Sequence, residues 1–199
     1  MNDAARDRII QAGAALMHRQ GFQGTGLTEV LAAAKAPKGS FYHYFPSKEA
    51  FGLAVLEHVE TQLGAMAHGI LDAPGLTASA KFAAVIARFR DLAAQSGYGL
   101  GCPVGKLAQE MSEVSEAFRA HLAGRPTPMT GLLRAVITEG QSTGEFDPGL
   151  DADEAARFLA NAWQGALMRM KVTRDPQPLT VFERFARRLL TPPSAGPSE

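Results

Sequence analysis

Helical spacing of the apolar residues, interrupted repeatedly by glycine and proline, is the feature that most restricts the fold of this chain. In the first such run, Ile9, Ile10, Leu16 and Met17 share one stripe of a helix, and arginines occupy its other faces. Strict alternation of apolar and polar residues, which would indicate a half-buried strand, is scarce. The pattern therefore predicts an all-α protein.

The glycine and proline breaks divide this pattern into a small N-terminal unit and a larger helical unit. Three helices are predicted in the first, of which the second and third are short, and Ser47 is expected to cap the helix that follows. Either Thr25 or Thr28 is expected to cap the second helix. The proline-rich residues 191–199 are predicted to be a disordered tail, so the domains are 1–48, 49–190 and that tail. The predicted helices span 3–20, 28–34, 38–44, 47–71, 78–95, 104–113, 116–123, 129–143, 151–171 and 179–190.

Charge and cysteine content exclude several classes of protein. Twenty basic side chains balance twenty acidic ones, which argues against a strongly basic nucleic-acid coat and against an acidic disordered protein. Cys102 is the only cysteine, so no internal disulfide forms, and no Cys/His spacing typical of a metal site surrounds it. The charged N-terminus is unlike a signal peptide, and no run approaches the apolar length of a membrane span. We expect a soluble cytoplasmic protein without a metal or cofactor.

The segment 37–45 has the residue types of a helix that reads DNA. A helix-turn-helix motif needs a short second helix that presents polar or aromatic groups to the major groove and is surrounded by phosphate contacts. Phe41 and Phe45 lie four residues apart and can anchor such a helix to the core, while Gly39 permits close approach of the backbone. Lys48 follows at the start of the next helix, a favourable position for a phosphate. The potential donors and acceptors within the segment are Lys38, Ser40, Tyr42, His43 and Tyr44.

Charge gives this assignment modest support. Residues 1–50 contain six basic side chains and four acidic ones, so this part is mildly basic and the remainder mildly acidic. A purely structural role for the aromatic residues is accepted for Phe41 and Phe45. It does not explain a Tyr-His-Tyr run between Lys38 and Lys48.

The run Gly21-Phe22, Thr25, Leu27-Thr28-Glu29-Val30 and Pro37 to Phe51 closely resembles the TetR family of one-component repressors. The resemblance implies an all-helical homodimer with an N-terminal three-helix DNA-binding domain and a C-terminal domain that binds a small ligand and dimerises. By position, it implies that Ser40, Tyr42 and His43 contact the groove. It also implies that Lys38, Tyr44 and Lys48 contact phosphates or the groove edge. Thr28 and Gly39 complete the predicted DNA-binding set.

Two residues depart from the family pattern. Lys35 stands where members usually have glycine, and we expect it to need a left-handed backbone at a cost on the order of 1 kcal/mol. It could also add a phosphate contact. Gly26 stands where members usually have a small hydroxyl residue, and it removes a cap or phosphate contact of the second helix.

The sequence Gly101-Cys102-Pro103 places the only thiol at the entrance of a helix that Pro103 begins. A helix N-terminus stabilises a thiolate, and Lys106 adds positive charge, so Cys102 is a candidate reactive thiol. An inert buried cysteine is the alternative. The stretch resembles a TetR subgroup with Gly-Cys followed by a Leu107-Ala108-Gln109-Glu110 run, which includes regulators that respond to electrophiles or to acrylate. That resemblance implies a sensing or ligand-facing thiol.

Ligand-pocket candidates come from the second half of the chain, and each of them is also compatible with an ordinary core position. The predicted sensing set is Cys102, Lys106, Tyr98, Phe89, Met111 and Trp163. Gln109, Asn161 and Gln164 are further polar candidates, and His68 and His121 are expected at the surface without a metal. The remaining apolar candidates for the pocket lining are Phe82, Ile86, Leu107, Phe118, Leu167 and Met168.

The last two predicted helices are candidates for a dimer interface. The first carries Phe158 with the small residues Ala162, Gly165 and Ala166, and the second carries an apolar stripe that includes Phe182, Phe185 and Leu189. By analogy with TetR proteins, two copies would pair these helices as a four-helix bundle.

The sequence therefore predicts a ligand-responsive transcriptional repressor rather than an enzyme. It would bind double-stranded operator DNA at a pseudo-palindrome as a homodimer, without a membrane, and a small molecule or modification of Cys102 would release it. Two alternatives remain at this point: a cysteine-dependent enzyme with a histidine base, and a ligand-binding module without DNA recognition. No histidine lies near Cys102 in the chain, and the intact Gly39–Phe45 run disfavours loss of DNA recognition.

Overall fold

The computed structural model describes residues 3–193, and over this range it is helical without a strand. This confirms the predicted all-α class, and α5 and α7 occupy the predicted ranges. Residues 194–199 of the predicted tail lie outside the described range. The helices are α1 (Asp3–Gly24), α2 (Leu27–Ala33), a 3₁₀ turn (Lys38–Ser40), α3 (Phe41–Tyr44), α4 (Lys48–Leu71), α5 (Ala78–Gln95), α6 (Pro103–Met111), α7 (Glu116–Ala123), α8 (Pro128–Ser142), α9 (Ala152–Thr173) and α10 (Gln177–Leu190).

Short polar side chains begin five of these helices. A side-chain oxygen just before α4, α5, α7, α8 and α9 accepts a backbone N–H group of the first turn, which satisfies a donor that has no partner within the helix. The residues are Ser47, Thr77, Ser115, Thr127 and Asp151. Between residues 3 and 193, no helix has the length and apolar character needed to cross a membrane.

The second helix begins differently from the prediction. Gly26, with φ −86° and ψ 139°, occupies the N-cap position, and no side chain caps α2. The hydroxyl of Thr25 is buried and donates instead to the carbonyl oxygen of Gly21 at 2.6 Å. The expectation that Thr25 or Thr28 caps α2 is therefore wrong, because Thr25 is used to close the loop that precedes the helix.

The chain forms two compact units. Within the described residues, one comprises 3–63 together with Cys102–Arg125, and the other comprises Gly64–Gly101 together with 126–193. The first unit therefore contains α6 and α7 as well as the N-terminal helices. These units follow packing, whereas the predicted division after residue 48 follows the sequence motif and stays a prediction.

Aromatic rings form the centre of the first unit. Phe41, Phe45 and Phe51 are almost completely buried, and their ring centroids lie 5.0–5.4 Å apart. Phe22 and Phe118 make an edge-on contact at 5.8 Å beside them. The four-residue spacing of Phe41 and Phe45 thus places both side chains in the core, as predicted.

The second unit packs α5, α8, α9 and α10. Trp163 is buried between the rings of Phe89 and Phe182, with centroids 5.2 Å and 5.3 Å away. The ammonium group of Lys81 on α5 lies 2.8 Å from both carboxylate oxygens of Glu139 on α8. Hydrophobic packing and an ion pair with a buried lysine therefore stabilise this unit.

Candidate DNA-binding surface and thiol site

Lys35 ends α2 in the left-handed conformation, with φ +50°. Its N–H group bonds to the Ala32 carbonyl at 3.1 Å, and the N–H group of Ala36 bonds to the Leu31 carbonyl at 2.9 Å. These two bonds are the Schellman pattern that usually has glycine at this position. The left-handed backbone expected for Lys35 is confirmed, and the turn keeps the hydrogen bonds of a regular helix end.

The segment after this turn buries one face and exposes the other. Phe41 and Phe45 are buried, whereas 70% of Tyr42 is accessible and His43, Lys38 and Gly39 are exposed. The hydroxyl of Ser40 donates to the Pro37 carbonyl at 2.7 Å, and the rings of His43 and Tyr44 lie 5.0 Å apart. The short helix is thus anchored by two phenylalanines and presents its polar side chains outward.

The two other predicted DNA contacts lie on either side of this segment. Thr28 is exposed near the start of α2, and Lys48 begins α4. The ammonium group of Lys48 lies 4.8 Å from the centroid of the Phe22 ring and 3.5 Å from the carbonyl oxygen of Gln23. Lys48 therefore also contacts the C-terminal part of α1.

Cys102 is the N-cap residue of α6, as the Gly-Cys-Pro sequence predicts. Its sulfur accepts the Gly105 N–H group at 3.4 Å, and the residue is half-buried and in no disulfide. Lys106 was expected to add positive charge near the thiol. Its ammonium group donates to the carbonyl oxygens of Arg19 at 2.8 Å and His18 at 3.4 Å.

The predicted sensing residues are distributed over both units. Cys102, Lys106 and Met111 belong to the first, and Met111 is buried in its core; Tyr98, Phe89 and Trp163 belong to the second. Tyr98 has φ +60° in the loop that leaves α5. Their role in ligand binding stays a prediction.

Several other expectations about the pocket are wrong. Met168, Gln109 and Asn161 are exposed, so they do not line a buried cavity. His68 is exposed as expected. His121 is instead largely buried, and its Nε2 atom lies 2.7 Å from a carboxylate oxygen of Glu60. In the part of the chain that the structure covers, no three His, Cys, Asp or Glu residues form a group that could hold a metal ion.

Glu110 is a notable residue that sequence reasoning missed. It lies in the Leu-Ala-Gln-Glu run, where only the neighbouring Gln109 was considered as a polar group. One of its carboxylate oxygens accepts the backbone N–H group of Gln23, 87 positions away in the chain, at 3.1 Å. The sequence signal that accompanies it is Gly21, whose missing side chain leaves space for this carboxylate.

Comparison with known proteins agrees with this architecture. The model of the tetR family of bacterial regulatory proteins matches residues 9–55, and the model of a tetracyclin repressor-like C-terminal domain matches residues 78–186. The chain belongs to the TetR family. This TetR protein therefore carries the helix-turn-helix DNA-binding domain and C-terminal domain predicted from its sequence.

Relatives of this TetR protein are transcriptional regulators. The regulator AcuR of Cereibacter sphaeroides is 35% identical to it, over 94% of this chain and 86% of AcuR. The repressor DhaR of Mycobacterium sp. (strain GP1) is 32% identical, over 94% of this chain and 92% of DhaR. The solved structure of Escherichia coli NemR in its reduced form matches with a TM-score of 0.81 and 27% identity, over 96% of this chain and 99% of that one.

Proposed function

We propose that the protein is a cytoplasmic ligand-responsive repressor that binds a pseudo-palindromic operator as a homodimer. One observation carries this proposal: a short helix is anchored by buried Phe41 and Phe45 and exposes Tyr42 and His43 beside Lys38. This arrangement suits a recognition helix, because the buried face fixes the helix while the exposed face reaches base edges.

DNA contacts divide into two classes in this proposal. Ser40, Tyr42 and His43 read the major groove, with Gly39 allowing close approach and Thr28 contributing from α2. Lys38, Tyr44 and Lys48 contact phosphates, which position the protein without reading sequence. The small excess of basic residues over residues 1–50 supports few phosphate contacts and a moderate salt dependence.

Dimerisation is supported by an apolar groove on α9 and α10. Phe158 and Phe185 are 62% and 55% accessible and line a groove of about 240 Å³ together with Ala162 and Ala166. Exposed phenylalanines around small residues suit close packing against identical helices of a second copy. In this proposal a two-fold dimer presents two recognition helices about 34–36 Å apart, one for each half-site.

Release from DNA is proposed to follow modification of Cys102 by a small electrophile. With a maleimide, the thiolate sulfur bonds to one alkene carbon, and the other alkene carbon takes up a proton from solvent. The sulfur stands at the N-cap of α6 and the residue is only half-buried, so part of it is accessible to a small reagent. A substituent there also disturbs the N-cap contact with Gly105.

The experiment is a footprint of the purified protein on the DNA upstream of its own coding sequence, before and after N-ethylmaleimide. We expect a protected pseudo-palindrome that is lost in proportion to the alkylated fraction, measured by intact mass. In Cys102→Ser, serine keeps an N-cap oxygen, and protection should survive the reagent. The absence of any footprint would overturn the proposed repressor function. Equal release of wild type and Cys102→Ser from the DNA would overturn the proposed role of the Cys102 thiol. Conversion of an electrophile beyond one equivalent would indicate an enzyme.

A further inference from the structure

We propose that α6 positions the DNA-binding helices through Lys106 and Glu110, which bind the C-terminal part of α1 on either side of a break at Gly21. Through these contacts, a chemical modification of Cys102 would alter the position of the DNA-binding surface. This second step rests on the proposed thiol-responsive function, whereas the positioning role of Glu110 stands on the contacts alone.

Helix α1 contains a break at Gly21. Gly21 has φ +83° and ψ 176°, a conformation that side chains rarely adopt. A Cβ atom at Gly21 would clash with the Glu110 carboxylate, which therefore occupies the space left by the missing side chain. The Oε2 atom of the same carboxylate accepts the N–H group of Gln23 at 3.1 Å. Glu110 therefore both fills the break and satisfies a backbone donor just beyond it.

Lys106 acts on the other side of the break. It lies one helical turn before Glu110 on α6, so the two side chains share one face. Its ammonium group donates to the carbonyl oxygens of Arg19 and His18, which precede the break. The Lys106 ammonium group therefore binds carbonyl oxygens at the C-terminal end of the first part of α1, and the Glu110 carboxylate binds an N–H group after the break. Each charge is opposite in sign to the partial charge of the backbone groups that it contacts. Both charges come from the same nine-residue helix.

The residues Gly21–Gly26 contact Lys48 and precede α2, both of which are proposed to contact DNA. The ammonium group of Lys48 contacts the Phe22 ring and the Gln23 carbonyl oxygen. The hydroxyl of Thr25 donates to the Gly21 carbonyl, and Gly26 then begins α2 without a side-chain cap. A displacement of Gly21 or Gln23 would therefore move the start of α2 and the position of Lys48 together.

Cys102 lies at the N-cap of α6, the helix that carries Lys106 and Glu110. Val104, Leu107 and Met111 bury one face of this helix in the first unit, which holds it as a rigid element. The sulfur of Cys102 accepts an N–H group of the first turn, and the Cys102 carbonyl accepts the Lys106 N–H group at 3.0 Å. A substituent on the sulfur would therefore shift the helix that carries Lys106 and Glu110.

The test compares Glu110→Ala, Glu110→Gln and Lys106→Met with the wild type, using N-ethylmaleimide as the modifying reagent. Hydrogen exchange of the Gln23 amide and affinity for the upstream DNA are measured before and after modification. Glu113→Ala is the control, because Glu113 is exposed just beyond α6.

For Glu110→Ala we expect faster exchange at Gln23, an operator affinity reduced about tenfold, and little further loss on alkylation. Glu110→Gln retains an oxygen that accepts the Gln23 N–H group, so it should restore most of the affinity. Lys106→Met should weaken the effect of alkylation, and Glu113→Ala should behave as wild type. A merely destabilising change would lower the melting temperature without abolishing the response to alkylation.

The proposal is overturned if Glu110→Ala exchanges at Gln23 and binds DNA as the wild type does. The second step, transmission from Cys102, is overturned if alkylation of the wild type leaves Gln23 exchange unchanged. Because exchange is measured without DNA, this result is independent of whether an operator is found. Failure of the wild type to bind upstream DNA would instead count against the proposed function.

Discussion

The carboxylate of Glu145 accepts the backbone N–H group of Ser79 at 3.0 Å, and it accepts that of Ala78 at the same distance. Glu145 follows α8, so these bonds fasten the loop after α8 to the first turn of α5. The Ser79 N–H bond is the largest cause that lowers the pKa of Glu145, from 4.5 to about 2; desolvation opposes it, and the Ala78 N–H group and the Ser79 and Thr143 hydroxyls lower it further. The ionised carboxylate therefore stabilises this unit.

Glu145→Gln should lower the melting temperature at pH 7 and much less at pH 2.5. Because the folded-state pKa lies below the usual value, the contribution of the carboxylate is complete above about pH 4.5 and is lost as the pH falls toward 2. Thermal unfolding followed by circular dichroism at pH 7, 5 and 2.5 measures the difference. The exposed Glu113→Gln serves as control and should show none. A difference that stays constant down to pH 2.5 would contradict the assignment.

Lys35→Gly should stabilise the protein by about 1 kcal/mol, because glycine adopts the left-handed conformation of this position without the Cβ penalty. Urea unfolding measures the change. Lys35→Ala keeps the Cβ atom and should give no such gain. If Lys35 also contacts a phosphate, both variants should lower the salt dependence of DNA binding by about one ion. A stability gain from alanine equal to that from glycine would show that the backbone is not the cause.

The pair Lys81–Glu139 should respond unequally to removal of its two partners. The Lys81 side chain is 9% accessible, whereas that of Glu139 is 35% accessible. Glu139→Gln leaves a buried ammonium group without its counter-ion and should cost about 2 kcal/mol in unfolding free energy. Lys81→Met leaves a carboxylate that water still reaches and should cost about 1 kcal/mol or less. Urea unfolding decides the order, and the reverse order would contradict the burial of Lys81.

Phe185→Glu should convert the proposed dimer into a monomer that no longer binds the upstream DNA. The ring is 55% accessible, and it lies within 5.4 Å and 5.6 Å of the guanidinium groups of Arg184 and Arg188. Light scattering coupled to gel filtration gives the mass. Val114→Glu, at an exposed valine of the other unit, should remain dimeric. A dimer that persists in Phe185→Glu would place the interface elsewhere.

Local signals in the sequence predict the helices well, because the residues that begin and end a helix bond to backbone groups only a few positions away. Thr77 and Ser115 cap α5 and α7, and both helices occupy the predicted ranges. The left-handed Lys35 was predictable for the same reason, since a turn residue that replaces glycine must adopt the conformation that glycine had. The N-cap of α2 was not, because Thr25 bonds backward to Gly21.

Contacts between distant parts of the chain could not be predicted from local pattern. Glu110 and Gln23 are separated by 87 positions, as are Lys106 and Arg19, and only the folded chain brings them together. For the same reason, the sequence did not predict that α6 and α7 pack with the N-terminal helices. The sequence predicts an exposed His121, because no local pattern shows that Glu60, 61 positions away, is its partner.

Sequence-specific DNA binding is measured by the ratio of affinities for the upstream fragment and for a scrambled fragment of equal length, using fluorescence anisotropy at one salt concentration. We expect the wild type to prefer its own fragment by about a thousandfold or more. Tyr42→Ala and His43→Ala should each reduce that ratio by about tenfold, whereas Lys38→Met should weaken both complexes alike. Equal affinity of the wild type for both fragments, or a ratio that Tyr42→Ala and His43→Ala leave unchanged, would contradict sequence-specific binding.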